Sequence, residues 1–172
     1  MRAFFALDIA VERQYAIEKW RANALPPDLG RAVPPANFHI TLHFLGEITA
    51  RQLELLCIAA NEITPPRIEL RLNTPGYFPK PGIFWLGSEE VPPALPELAR
   101  ALRKACRKAG IAANSRRRFE PHLTLYRNCR ARPPLPSAPP CFDISCDGFA
   151  LFESRAGGKG VRYHVAQRWP AR

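Results

Sequence analysis

The spacing of apolar positions changes several times along the chain, and each change marks an element. Arg2 to Ile9 is an apolar run broken by Asp8, the pattern of a buried strand. From Val11 to about Ala24 the period becomes helical. Ala16, Ile17, Trp20 and Ala24 share a face, with Glu12, Arg13, Glu18, Lys19 and Arg21 largely elsewhere. Pro26-Pro27-Asp28-Leu29-Gly30 ends that helix. Thr49 and Gln52 have the spacing of a capping box, opening a helix with Leu53, Leu56, Cys57, Ala60 and Ile63 inward and closed by Pro65-Pro66. Arg67 to Asn73 alternates Ile68, Leu70 and Leu72 against Arg67, Glu69 and Arg71, a half-buried strand. After a turn expected at Pro75-Gly76, Ile83 to Gly87 reads as its hairpin partner.

Leu95 to Ala109 is the clearest helix. Leu95, Leu98, Ala99, Leu102, Cys106 and Ala109 are apolar; Arg100, Arg103, Lys104, Arg107 and Lys108 are cationic; Gly110 is placed to cap the end. Arg132 to Pro140 is too rich in proline for regular structure and is expected as a surface loop. Phe142 to Phe152 is strand-like with a break at Asp147-Gly148. Gly157-Gly158-Lys159-Gly160 reads as a turn, and Val161 to Trp169 as the last strand.

Two further strands carry nearly the same text. Phe38-His39-Ile40-Thr41-Leu42 and Pro121-His122-Leu123-Thr124-Leu125 each contain a His-apolar-Thr-Leu tetrad. Strand side chains alternate between faces. His39 and Thr41 therefore share one face and Ile40 and Leu42 the other, and His122 and Thr124 separate likewise from Leu123 and Leu125. Strand, helix, loop and tetrad recur in that order, with 35 residues from Phe4 to His39 and 38 from Phe84 to His122. The spacing predicts an internal duplication that sets the two tetrads about a central groove.

The charge directs attention to an anionic partner. Lys plus Arg number 25 against 15 Asp plus Glu, a net charge of +10, which suits nucleic acid, a phosphate ester or an anionic surface. No apolar run approaches the ~20 residues that cross a bilayer. The N-terminal stretch reads as a strand and not a signal peptide, so a cytoplasmic protein without membrane contact is expected. The five cysteines are odd in number and form no CxxC pair, which argues against a disulfide framework or a zinc site.

Two facing imidazoles can hold complementary protonation states near neutral pH. A neutral one takes a proton from water and a protonated one gives a proton to a leaving oxygen. In-line opening of a cyclic phosphodiester needs those two transfers on opposite sides of phosphorus. Threonine hydroxyls can donate to the non-bridging oxygens. This chemistry requires neither metal nor cofactor.

The paired tetrads, together with Phe4-Phe5-Ala6-Leu7, Phe84-Trp85-Leu86-Gly87 and Leu151-Phe152-Glu153-Ser154, resemble the two-histidine (2H) phosphoesterases. Within them the chain is similar to the bacterial and archaeal RNA 2′,3′-cyclic phosphodiesterases, formerly linked to 2′-5′ RNA ligase activity. The resemblance spans nearly the whole chain. It implies an α+β fold in one bilobal domain over residues 1–172, with two antiparallel sheets and a pseudo-twofold repeat about a groove and helices outside. It implies hydrolysis of RNA 2′,3′-cyclic phosphate ends to 2′-phosphomonoesters; a monomer that needs no metal is expected. Carried over, His39 is the proton donor, His122 the proton acceptor, and Thr41, Thr124 and Arg127 bind substrate. A 2H enzyme acting on other cyclic or 2′-5′ linked nucleotides, and an RNA-binding module without turnover, are the alternatives.

Among the remaining residues, His43 is expected at the groove edge, two positions past Thr41, and His164 on an exposed face. Tyr77, Phe78, Phe84 and Trp85 are read first as core and second as base-stacking platforms. Arg116 to Arg118 are candidates for tracking an RNA backbone.

Overall fold

The computed structural model describes residues 1–112, 118–158 and 160–172. Its elements are β1 (Arg2–Asp8), α1 (Val11–Ala24), β2 (Arg31–Ala32), a 3-10 turn (Pro35–Asn37), β3 (His39–Glu47), α2 (Ala50–Asn61), β4 (Arg67–Leu72), β5 (Thr74–Phe78), β6 (Ile83–Gly87), α3 (Ala94–Lys108), β7 (Leu123–Arg127), β8 (Phe142–Asp147), β9 (Phe149–Gly157) and β10 (Gly160–Trp169). The fold is mixed α+β with two antiparallel sheets. The larger has the order β10-β9-β1-β3-β7-β6-β5, with β2 also on β7; β4 and β8 form the smaller. Strands β3 and β7 are joined at one paired position, Ile40 with Leu123. The large sheet is thus two half-sheets meeting at a narrow seam.

The duplication is visible in the pairing. β1-α1-β3 is answered by β6-α3-β7, β4 by β8 and β5 by β9. One strand of each copy is exchanged: β5 pairs with β6 of the second copy, and β9 pairs with β1 of the first. β4 and β8 pair with each other. Behind the seam the helices cover one continuous core containing Phe5, Leu7, Ile17, Ile40, Leu56, Leu95, Leu102, Leu123 and Leu125. Burying each such side chain contributes roughly 1.5–3 kcal/mol, so the apolar backs of the tetrads fix which way His39 and His122 face.

Both tetrads carry the same bulge. Ala6 pairs with Thr41 but Phe5 pairs with His43, so Leu42 is the extra residue. Trp85 pairs with Thr124 but Phe84 pairs with Tyr126, so Leu125 is the extra residue. An added residue offsets the alternation beyond it. His43 therefore turns into the core towards α3, where the Arg103 charge acts on it, and it is 5 % exposed. Phe44 takes the open face and is 61 % exposed. The expectation of His43 at the groove edge is corrected: strict alternation from Thr41 does not survive the bulge.

Two other expectations change. The hairpin partner of β6 is β5 and not β4, and Pro75-Gly76 lies within that strand. A Cβ on Gly76 would come within 2.1 Å of the Trp85 ring, so this glycine serves close packing and not a turn. Arg21, assigned away from the apolar face, is 3 % exposed. Its Nη1 donates to the carbonyls of Val33 (2.8 Å) and Leu125 (2.7 Å), and Glu18 pairs with it. The guanidinium also lies over the rings of Phe38 and Tyr126, at 5.1 and 5.2 Å. A buried cation is stable only when paired and hydrogen-bonded in this way.

The Thr49–Gln52 capping box forms, and Gly110 adopts a positive φ of 69° past α3. Among the described residues no helix is long and apolar enough to cross a membrane.

Candidate active site

Ile40 and Leu123 point into the core, so their neighbours on each strand point into the groove. Continuing that register by one residue sets His39 beside Thr124 and Thr41 beside His122. The structure therefore brings together the two histidines and two threonines singled out in the sequence.

His39 follows the 3-10 turn after the single residue Phe38. Its Nδ1 lies 2.7 Å from the Asn37 carbonyl oxygen, which can only accept, so Nδ1 carries a hydrogen. Its Nε2 lies 3.0 Å from Thr41 Oγ1. In the neutral ring the threonine hydroxyl donates to Nε2; in the charged ring Nε2 donates. Around the imidazole stand Phe4 (4.9 Å between ring centres), Tyr163 (5.0 Å, edge-on) and Phe152 (6.5 Å). Burial among these rings is the chief reason that the pKa of His39 is pushed down to about 4. The Asn37 carbonyl opposes the shift, the charges of Arg127 and His122 add to it, and Asp8 opposes it. Asp8 is the direct partner of His39 on β1 and is bound by Arg168 at 2.6 Å.

His122 is arranged alike. Its Nδ1 donates to the Glu120 carbonyl at 2.8 Å. Phe78 meets its ring edge-on at 5.3 Å and Trp85 lies 5.7 Å away. Burial again lowers the pKa, against the carbonyl and carboxylate of Glu120; Arg127 lowers it further. Both rings thus hold a hydrogen on Nδ1 and turn Nε2 to the groove.

Arg127 lies on the half-exposed open side of β7, and its charge acts on both imidazoles. Of the aromatic candidates, Trp85 and Phe78 flank His122, whereas Phe84 is core, stacked on Tyr126. His164 is exposed, as expected. Arg116 and Arg117 lie outside the described residues; Arg118 is exposed beside a cavity of about 320 Å³ that Trp85, Phe119 and Pro121 also line. A larger cavity, about 810 Å³, lies over β4 and β8 and includes none of the histidines. The paired imidazoles, and not cavity size, identify the chemical site.

Sequence reasoning did not find Phe4, Asp8, Phe152 or Tyr163 as neighbours of His39. One signal was available for two of them: alternation along β1 places Phe4, Ala6 and Asp8 on one face. Phe152 and Tyr163 arrive on β9 and β10 from the far end of the chain, and nothing local announces them.

Comparison with known proteins agrees with the repeat. A family model described as "LigT like Phosphoesterase" matches twice, over residues 7–85 and 86–163. The RNA 2′,3′-cyclic phosphodiesterase of Escherichia coli (strain K12) is 36% identical over 170 residues, covering 98% of this chain and 95% of that protein. The enzyme of that name from Thermus thermophilus is 30% identical over 186 residues, covering 100% and 91%. Among solved structures, E. coli LigT complexed with 3′-AMP superposes with a TM-score of 0.92 at 34% identity, over 99% of this chain and 97% of that one. TT0787 of Thermus thermophilus superposes with a TM-score of 0.80 at 27% identity, over 99% and 97%.

Proposed function

The chain belongs to the LigT-like phosphoesterase family, and on that footing we propose that it is a metal-independent RNA 2′,3′-cyclic phosphodiesterase. It opens the cyclic phosphate at an RNA 3′ end and leaves a 2′-phosphomonoester. The observation that carries this reading is the matched pair of imidazoles. Each is locked by a carbonyl at Nδ1, and each turns Nε2 to the same groove. Binding alone requires no such matching of tautomers. One chain supplies both histidines, so the working unit is the monomer.

In the reaction a water oxygen forms a bond to phosphorus and gives its proton to Nε2 of His122. The bond from phosphorus to the 3′ oxygen breaks, and that oxygen takes a proton from Nε2 of His39. In the open groove burial holds His39 neutral at pH 7. The anionic cyclic phosphate offsets this and favours the proton on an imidazole. Burial lowers proton affinity most at His39, so its charged form is the readier donor; His122 keeps more basicity for water. Thr41 and Thr124 donate to the non-bridging oxygens, and Arg127 answers the charge that stays on phosphorus.

The test is incubation with an oligoribonucleotide ending in 2′,3′-cyclic phosphate, followed by identification of the product isomer. A 2′-phosphate is expected. A 3′-phosphate would mean that the 2′ oxygen leaves, and an unchanged substrate would sink the enzymatic reading.

A further inference from the structure

Arg31 and Arg127 are direct partners across the short pairing of β2 with β7, so both side chains leave the same face. That face is the groove, because the next pair, Ala32 with Tyr126, puts the tyrosine against buried Arg21. Like charges placed opposite each other on adjacent strands repel. Among the described residues neither guanidinium has a carboxylate partner, although seven other ion pairs form. The juxtaposition is nonetheless built in. Val33 donates to the Leu125 carbonyl at 2.9 Å and anchors the segment. Gly30 lets it close on β7, since a Cβ there would lie 2.6 Å from the Arg127 carbonyl oxygen and 3.0 Å from Cys129 Sγ.

The two arginines stand at different distances from the chemistry. The charge of Arg127 acts on both imidazoles; Arg31 stands across from it on the neighbouring strand β2, at the end of β7 away from His122. A cyclic phosphate carries one negative charge, which Arg127 and the threonines can answer. A second, exposed guanidinium beside Arg127, on the neighbouring strand, fits a second anion next to the first. In RNA that anion is the phosphodiester on the 5′ side of the terminal nucleotide, and arginine's planar fork suits it.

We propose that Arg31 binds this second phosphate and makes the enzyme prefer RNA ends to isolated nucleoside cyclic phosphates. This rests on the proposed phosphodiesterase reading. It assigns the preference to a pair of arginines that face one another across β2 and β7.

The experiment compares kcat/KM on a nucleoside 2′,3′-cyclic phosphate with kcat/KM on a short oligoribonucleotide ending in one. The ratio of the second to the first should fall about tenfold in Arg31→Ala, the size of one lost charge-assisted contact. Arg31→Lys should recover part of it. Replacing the single 5′-side phosphodiester with an uncharged methylphosphonate should lower the wild-type ratio by the same factor and not lower that of Arg31→Ala further. The oligonucleotide's KM should also depend less on salt in the alanine variant, by a slope of about 0.7. A ratio in Arg31→Ala equal to that of wild type would overturn the role of Arg31 while leaving the phosphodiesterase reading in place. A wild-type protein inactive on both substrates would remove both. Equal losses on the two substrates would place Arg31 on the cyclic phosphate or its product and not on the neighbouring phosphate.

Discussion

Phe44 and Arg127 hold the same place in the two copies of the repeat. Each stands five residues past its histidine, on the open side of the shared bulge. His39 matches His122 and Thr41 matches Thr124, but at this position one copy presents an exposed aromatic ring and the other a cation. The histidines and threonines are symmetric, and the cation beside them is one-sided. Arg127→Ala should therefore lower kcat/KM on a cyclic phosphate by roughly 10–100-fold, the range for one charge-assisted contact. Arg127→Lys should restore only part, since a lysine lacks the forked donor. Steady-state kinetics on a nucleoside cyclic phosphate decides this; wild-type values in the alanine variant would remove Arg127 from the site.

His39→Ala and His122→Ala should each lower turnover by about 10²–10⁴-fold, the usual worth of a positioned acid or base. Circular dichroism should show both variants folded, because the core-facing partners Ile40 and Leu123 remain. Near wild-type turnover by either variant would falsify the two-histidine mechanism.

Activity should respond to pH in a direction set by burial. His39 is held at about 4 and His122 below its ordinary 6.5 in the open groove, so both lose their protons in mildly acidic solution. The profile of kcat/KM follows the free enzyme and should be bell-shaped with a maximum between about pH 4 and 6.5. The profile of kcat follows the complex, where the phosphate's negative charge favours the protonated rings, and should lie at higher pH. Coincident maxima would show that substrate charge does not act on the imidazoles.

His43 offers a contrast, being a histidine on the same strand as His39 that faces the core and not the groove. His43→Leu should keep kcat/KM close to wild type. Burial and the Arg103 charge hold the pKa of His43 below 6.5, and no described group pairs with its Nε2. The unfolded chain therefore binds more protons here as pH falls below 6.5, and wild type loses stability in that range. The leucine variant lacks this loss, so its advantage in melting temperature should be greater at pH 5 than at pH 7. An advantage independent of pH would show that His43 is not held neutral.

Dialysis against EDTA should leave turnover unchanged. Among the described residues no three His, Cys, Asp or Glu side chains converge in a way that could hold a metal ion. Loss of activity that a divalent ion restores would replace the proposed mechanism with a metal-assisted one.

Strands and helices were legible in the sequence wherever one face was apolar, as for α2, α3 and β4. The tetrads were legible for the same reason, since Ile40 and Leu123 fix the direction of the histidines. Three features escaped, each through a physical cause that local pattern does not carry. β5 holds Pro75-Gly76, which local chemistry reads as a turn, yet the glycine is there to receive Trp85. Arg21 has the composition of a surface residue and is buried because carbonyls and rings from distant segments surround it. His43 reads as facing the groove until the bulge at Leu42 offsets the count. The surroundings of His39 were hidden for a further reason: Phe152 and Tyr163 come from more than a hundred residues away.

The exchange of β5 and β9 bears on how such a cleft can acquire direction. A single copy of the repeat would leave one edge of its first strand bare and its exchanged strand without that partner. Two identical copies would complete each other, with the seam lying on their dyad. Such a pair would meet every ligand with two equal arms, and an asymmetric molecule would enter either way round with the same affinity. Because both copies belong to one polypeptide, position 44 and position 127 can differ. The covalent join between repeats is thus what permits a symmetric scaffold to receive its substrate in a single orientation.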